Sequence, residues 1–249
     1  MTRMVRVLLG MAWTLCATAA ARAENVVYLT SLDWPPYTQA AEPHGAVEEV
    51  VRQAFKAAGY TLVVDYLPWN RAVANAKSDP KYLGYFPEYY AKDIEADFVF
   101  SRPVGSGPLG FAERKADPVR WASLDDLKGL PIGTVFGYVN TDEFDQRVKD
   151  GRLKVDEAQS DLLNLKKLQA GRTRLAVIDG NVMAHLLGSD PELAPLARDL
   201  QFNARLLEDK DLFVCFRKDG KGQEMARIFN EGLAKIDAKA ILASRLKAR

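Results

Sequence analysis

Strand-like runs alternate with amphipathic helical segments from Val26 almost to the last residue. That alternation confines the chain to α/β folds with mainly parallel sheets, because each helix must carry the chain back to start the next strand. After a strand-like run at residues 26–30, Val47, Val50, Val51, Ala54, Phe55 and Ala58 recur at helical spacing, and Gly59 stands where a left-handed C-terminal cap belongs. Residues 61–67 are expected as a strand, 70–76 as a short helix and 83–86 as another strand. A second block opens at Ser123, where SLDD resembles a capping box and starts a short helix ending at Gly129. It continues with a strand in PIGTVFG, a helix after Asn140 or Thr141, a helix over residues 161–170 closed by Gly171, and the strand LAVID.

The segment SRPVGSGPLGFAERKADP, residues 101–118, joins the blocks, and DLFVCFRKDGKG, residues 211–222, is its counterpart. Each holds a strand-like run ending in a basic pair and a turn. The chain therefore enters the second block once and leaves it once. The expected architecture has two lobes, each with its own sheet: lobe 1 from residues 24–107 plus 212–249, lobe 2 from residues 108–211. Two crossing segments form the hinge, and a ligand cleft lies between the lobes, where pockets are common.

The first residues stand outside that fold. Arg3 and Arg6 precede an apolar run over residues 7–17, and Ala21-Arg22-Ala23 fits a signal-peptidase site, so residues 1–23 read as a cleavable signal peptide with cleavage before Glu24. The apolar run is shorter than the roughly 20 residues a membrane anchor needs. Cys16 follows Thr14-Leu15, which does not suit a lipoprotein signal. Cleavage leaves Cys215 as the single cysteine, excluding an internal disulfide. It also removes three of the 34 basic residues, leaving two fewer than the 33 acidic ones, a balance that gives nucleic acid no basic surface. The mature product is expected as a soluble monomer in the periplasm.

The order DWPPYT, VVRQAFKAAGY, LPWNRA, VFSRPVGSGPLGFAERK, SLDDLKGLPIGTVFGYVNTDEF, LQAGRTRLAVIDGNVMAHLL and LFVCFRKDG resembles the family 3 solute-binding proteins of ABC transporters, over nearly all the mature chain. The resemblance implies a type II periplasmic-binding fold: two lobes closing by a hinge on a small polar solute, typically an amino acid, for delivery to an inner-membrane permease. Such closure is a known class of hinge motion.

Several residues are candidates for the solute site. Trp34 and Tyr37 follow the first strand, and ligands of open α/β sheets bind beyond the carboxyl ends of strands. Pro35 and Pro36 restrict the backbone around Trp34. The resemblance implies that Trp34 packs over the solute; the alternative is that it plugs the core of its own lobe. Asp33 can cap the turn. Trp69 and Arg71 likewise follow a strand and open a helix. The resemblance places Trp69 at the cleft, while Arg71 is either a carboxylate clamp or a solvated surface residue. Asp179 stands where the family commonly meets the ligand amine, although the same residue type there can cap the helix beginning near Asn181. Gly137, Tyr138, Val139 and Asn140 open another helix, whose free N–H groups can hold an anionic group.

One position departs from the family pattern. Amino-acid-binding members commonly carry an arginine for the α-carboxylate shortly before the Phe100-Ser101 pair, and Ile94 stands there instead. The usual small hydroxyl residues upstream are replaced by Pro87, Glu88 and Tyr89. Either another cation, Arg71 or Arg102, substitutes, or the ligand is not an ordinary α-amino acid, or capture has given way to signalling or another role. Trp34, Trp69, Tyr85 and Tyr89 make the remaining wall aromatic, which favours a cationic ligand.

An enzyme of the cyclic-acid dehydratase type shares the fold class, with Glu88 and Asp179 as the conceivable acid and base. No nucleophile elbow, phosphate loop, dinucleotide fingerprint or metal-spaced cluster occurs, and His44 and His185 stand alone. No catalytic residue, metal or cofactor is therefore expected. A ligand-sensing module is the third class. Such modules are normally tethered to a transmembrane helix and an output domain, whereas this chain ends with the basic helix ILASRLKAR.

Overall fold

The computed structural model describes residues 25–247. The expected signal peptide, with Cys16 and the cleavage site, lies outside the described residues. Among the described residues, ten strands and seven α-helices follow in chain order. Strand β1 (Val26–Ser31), helix α1 (Ala46–Ala57), β2 (Thr61–Tyr66), α2 (Trp69–Ser78), β3 (Gly84–Tyr89) and β4 (Phe98–Phe100) form the first block. Strand β5 (Gly105–Arg114) crosses to β6 (Ile132–Val135), α3 (Asp142–Lys149), β7 (Val155–Ala158), α4 (Asp161–Gln169), β8 (Leu175–Asp179), α5 (Gly180–Ser189) and β9 (Leu200–Phe202). Strand β10 (Glu208–Arg217) crosses back, and α6 (Gly220–Leu233) and α7 (Ala238–Lys247) are the last described elements.

Each block is a small parallel sheet, with β1 between β2 and β3, and β6 between β7 and β8. The two long strands link them. The start of β5, residues 105–109, runs antiparallel to residues 208–212 of β10, after which β5 pairs with β8 and β10 with β3. The ladder is therefore continuous, in the order β2-β1-β3-β10-β5-β8-β6-β7, rather than two separate sheets as expected. Two crossing strands that lie side by side satisfy each other's backbone groups by pairing, so the hinge itself becomes sheet. Residues 109–114 and 212–217, read from the sequence as twin strands, are the arms extending from this junction into the two lobes.

Local signals explain most elements. The α1 stripe Val47, Val50, Val51, Ala54 and Phe55 is buried, with the Phe55 ring 4.9 Å from that of Phe229 on α6 and 6.3 Å from that of Phe216 on β10. Gly59 takes a positive φ of 84°, and the Tyr60 N–H returns to the Phe55 carbonyl, closing the helix. Three strands escaped the sequence reading. β4 and β9 have only three residues, and β7 carries Asp156 and Glu157 exposed on the sheet edge, so no hydrophobic period marks it. Among the described residues no helix is long and apolar enough to cross a membrane.

Thr141, not Asn140, caps α3, accepting from the Phe144 N–H at 3.2 Å. Thr141→Ala should cost about 1 kcal/mol of unfolding free energy, the typical worth of such a cap, measured by urea denaturation. Unchanged stability would mean that water replaces the hydroxyl at no cost.

Candidate functional site

The aromatic turn after β1 is tightly bonded. Trp34 donates its N–H to the Thr38 carbonyl at 2.9 Å and accepts from Tyr37 N–H at 3.0 Å, while Asp33 accepts from Ala40 N–H at 2.7 Å. The turn aims two rings, 4.9 Å apart, across to the other lobe. Trp34 Nε1 donates to Asp161 Oδ2 at 3.0 Å. The Tyr37 hydroxyl reaches both oxygens of Asp179 at 3.1 Å and accepts from Asn181 Nδ2 at 2.7 Å. A third link comes from α2, where Trp69 Nε1 donates to the Gly137 carbonyl at 3.0 Å. These contacts hold the β1–β3 lobe against the β6–β8 lobe.

Between them lies a cavity walled by Trp34, Trp69, Glu88, Tyr89, Tyr138 and Leu212, over about 30 Å³ of which a water molecule's centre can range. Trp34 stands nearly perpendicular to Tyr89 and Tyr138, at 82° with centroids 6.1 and 6.4 Å away, and Tyr138 stands at 82° to Trp69, 6.0 Å away. A wider groove of about 390 Å³ opens outside, shares Trp69 and Tyr138 with the cavity, and adds Tyr66, Asn70, Phe136 and Gln159.

Glu88 is the charged residue in the cavity wall. It is 6% exposed, and its oxygens accept from the Tyr85 hydroxyl at 3.0 Å and the Tyr89 N–H at 2.9 Å. Burial pushes its pKa up to about 8, and those two hydrogen bonds and the charge of Lys210 only partly oppose it. Burial likewise raises Asp161 to about 7, against the hydrogen bond from Trp34, and Asp179 to about 6, against the bonds from Val182, Asn181, Tyr37 and Tyr89.

Asp179 is the N-cap of α5: its Oδ1 accepts from the N–H groups of Asn181 at 2.8 Å and Val182 at 3.2 Å. With Tyr37 and Tyr89 closing over it, it is 2% exposed and sits behind the cavity wall rather than in it. Arg71 and Arg102, the candidate carboxylate clamps, are both exposed, on α2 and beside Asn230 of α6, and neither lines the cavity. Their places on α2 and beside α6 leave both guanidinium chains in water, where charge carries no desolvation cost. Ile94 lies in a 3₁₀ turn against the cluster of Ala76, Tyr85, Phe98 and Cys215.

The helix start expected to hold an anion already has one. Asn140 gives its backbone N–H and its Nδ2 to the Asp145 carboxylate, both at 2.8 Å, and Tyr138 N–H bonds to Val135. Of that segment, Tyr138 and Val139 line the cavity, while Gly137 offers a carbonyl rather than an N–H to Trp69. Asp161 and Asn181, which bond Trp34 and Tyr37 across the lobes, were not singled out as candidates from the sequence. Asp161 follows the cap residue Ser160 at the carboxyl end of β7, the same placement that drew attention to Asp179, and that was the available signal.

No family model and no curated protein matches the chain. Among solved structures it is similar to an amino acid ABC transporter substrate-binding protein, AbpA, from Streptococcus pneumoniae bound to L-arginine, with 16% identity, 90% of this chain and 95% of that one covered, and a TM-score of 0.70. It is also similar to the GluR0 ligand-binding core from Nostoc punctiforme in complex with L-glutamate, at 16% identity, 88% and 96% coverage and a TM-score of 0.69. A histidine kinase sensor domain with similarity to periplasmic binding proteins superposes at 18% identity, 90% and 95% coverage and a TM-score of 0.75. At such identities the likeness is one of fold, and with the paired crossing strands it defines a two-lobed type II binding fold.

Proposed function

We propose that the protein is an exported receptor that captures a small solute bearing an amine or other cationic group between its lobes, and hands it to an inner-membrane ABC permease. The observation that carries this reading is the interlobe cavity with Glu88 set among aromatic rings from both lobes. A buried carboxylate together with the negative faces of rings attracts positive charge. With Arg71 and Arg102 exposed, this reading needs no clamp for an α-carboxylate. The enzyme reading is weaker, because Asp179 is shut in as a helix cap and does not face the cavity together with Glu88. A sensing role for the same binding event is the second reading, favoured by the likeness to a histidine kinase sensor domain.

A thermal-shift screen over amino acids, amines, small organic acids and cyclic acids tests the proposal. A ligand that binds only the folded state stabilises it by about 2.7 kcal/mol at a hundred times its Kd. Amines or other cations should raise Tm and anions should not. Turnover of a cyclic acid without any shift by a cation would reject capture in favour of catalysis.

A further inference from the structure

The hydrogen-bonding edges of Trp34, Trp69 and Tyr89 in the cavity wall are already engaged. Trp34 Nε1 is bonded to Asp161, Trp69 Nε1 to Gly137, the Tyr89 hydroxyl is directed at Asp179, and the Tyr85 hydroxyl behind the wall is bonded to Glu88. What these residues leave to the interior is ring surface, met by Leu212 and the carboxylate of Glu88. Among the described residues Glu88 forms no ion pair: Lys210 pairs with Glu208 at 3.6 Å and lies with its Nζ 5.6 Å from the Tyr89 ring centroid. Glu88, Asp161 and Asp179 are also not grouped so as to hold a metal ion.

Resting on the capture of a cationic solute argued above, we propose that the ligand's head is an alkylated ammonium, quaternary or tertiary, seated against Glu88 inside the box of Trp34, Trp69, Tyr89 and Tyr138. A primary ammonium brings three N–H donors that each need an acceptor, and leaving donors unmet in a buried site is costly. Alkyl groups remove those donors and spread the charge over a surface that suits ring faces. Walls meeting near right angles present several such faces to one compact group. The inner space suits a head group only, so the remainder of the ligand lies in the outer groove, where Tyr66, Asn70 and Gln159 offer hydroxyl and amide partners. The raised pKa of Glu88 agrees with a carboxyl waiting for a cation: at neutral pH, binding would release its proton.

Isothermal titration of the full chain with choline, with its primary-amine counterpart ethanolamine, and with the neutral isostere 3,3-dimethylbutan-1-ol tests this directly. Choline should bind about tenfold or more tighter than either, and near pH 7 should release a proton that titrations in buffers of different ionisation enthalpy reveal. Glu88→Gln keeps its one oxygen for the Tyr89 N–H and turns an amide N–H towards the Tyr85 hydroxyl, which can accept it; it should weaken choline at least about tenfold and abolish the proton release. Trp69→Ala, at the half-exposed mouth, should weaken choline as well. Ethanolamine or a simple amino acid binding as tightly as choline, in a Glu88-dependent manner, would overturn the alkylated head while leaving cation capture standing. Equal binding of the neutral isostere would overturn it too, making the box merely hydrophobic. If no cationic probe binds at all, the capture proposal falls with it.

Discussion

The melting temperature of the ligand-free protein should fall as pH is raised from about 5 to about 8.5, the window between the unfolded and folded pKa values of its buried carboxyls. In the unfolded chain these groups lose their protons near 4, but in the folded protein Glu88, Asp161 and Asp179 hold theirs until about 8, 7 and 6. Between those limits the unfolded state binds fewer protons, so stability is fully present below about 4 and is lost as each folded pKa is passed. At ~1.4 kcal/mol per pKa unit, each of the three is worth about 3–5 kcal/mol over its own window.

The surroundings of the three groups do little to reverse the sign. Tyr85, Cys215 and Lys210 face Glu88, Trp34 faces Asp161, and Tyr37, Tyr89 and Asn181 face Asp179, with Asp161 and Asp179 also repelling each other. Exposed carboxylates with lowered pKa values, such as Asp126 and Glu224, lose their contribution only under more acid conditions and do not offset the trend. Scanning calorimetry across pH reads the slope, and Glu88→Gln with Asp161→Asn should flatten it between about pH 6 and 8.5. A Tm that is level or rises across this range in the parent protein would refute the assignment.

Gly107→Ala should destabilise the protein by about 2–5 kcal/mol, combining overpacking with loss of a hydrogen bond to a charged group. Gly107 lies in the hinge half of β5, and a Cβ there would sit 2.0 Å from the Tyr37 hydroxyl and 2.1 Å from Asp179 Oδ2. Tyr37 is fully buried and Asp179 is fixed by its helix, so the methyl group must drive apart the pair that links the lobes. Tyr37→Phe removes the same link without adding volume and should cost about 1.5–3 kcal/mol. The double variant should cost less than the sum, since both break one interaction. Urea denaturation decides it: a Gly107→Ala protein within about 0.5 kcal/mol of the parent, the range of a neutral surface change, would show that the hinge accommodates a side chain and that the latch is not tight.

Much of this molecule follows from order along the chain. The stripe on α1 with Gly59 behind it, the cap at the start of α3 and the two similar strands at β5 and β10 are local patterns, because helical period, caps and turns depend on residues a few positions apart. Twin strands implied two crossings and hence two lobes. Even the aromatic character of the cleft was legible, since Trp34, Trp69, Tyr85 and Tyr89 each stand in or just after strands of the first block.

Which charge faces the cavity was not legible. Asp179 and Glu88 were both candidates in the sequence, and so were Arg71 and Arg102, because a residue at a strand's end is equally able to cap, to pair or to meet a ligand. The choice is made by contacts far apart in the chain: Trp34 with Asp161 over 127 positions and Tyr37 with Asp179 over 142. Those rings close over the two aspartates and leave Glu88 in the wall of the cavity. Sequence alone thus determined most of the elements and their crossing order, through forces that act within a turn or a strand. Only the tertiary structure decided the chemistry of the cleft, because burial and hydrogen-bond saturation of a carboxylate depend on what the opposite lobe lays against it.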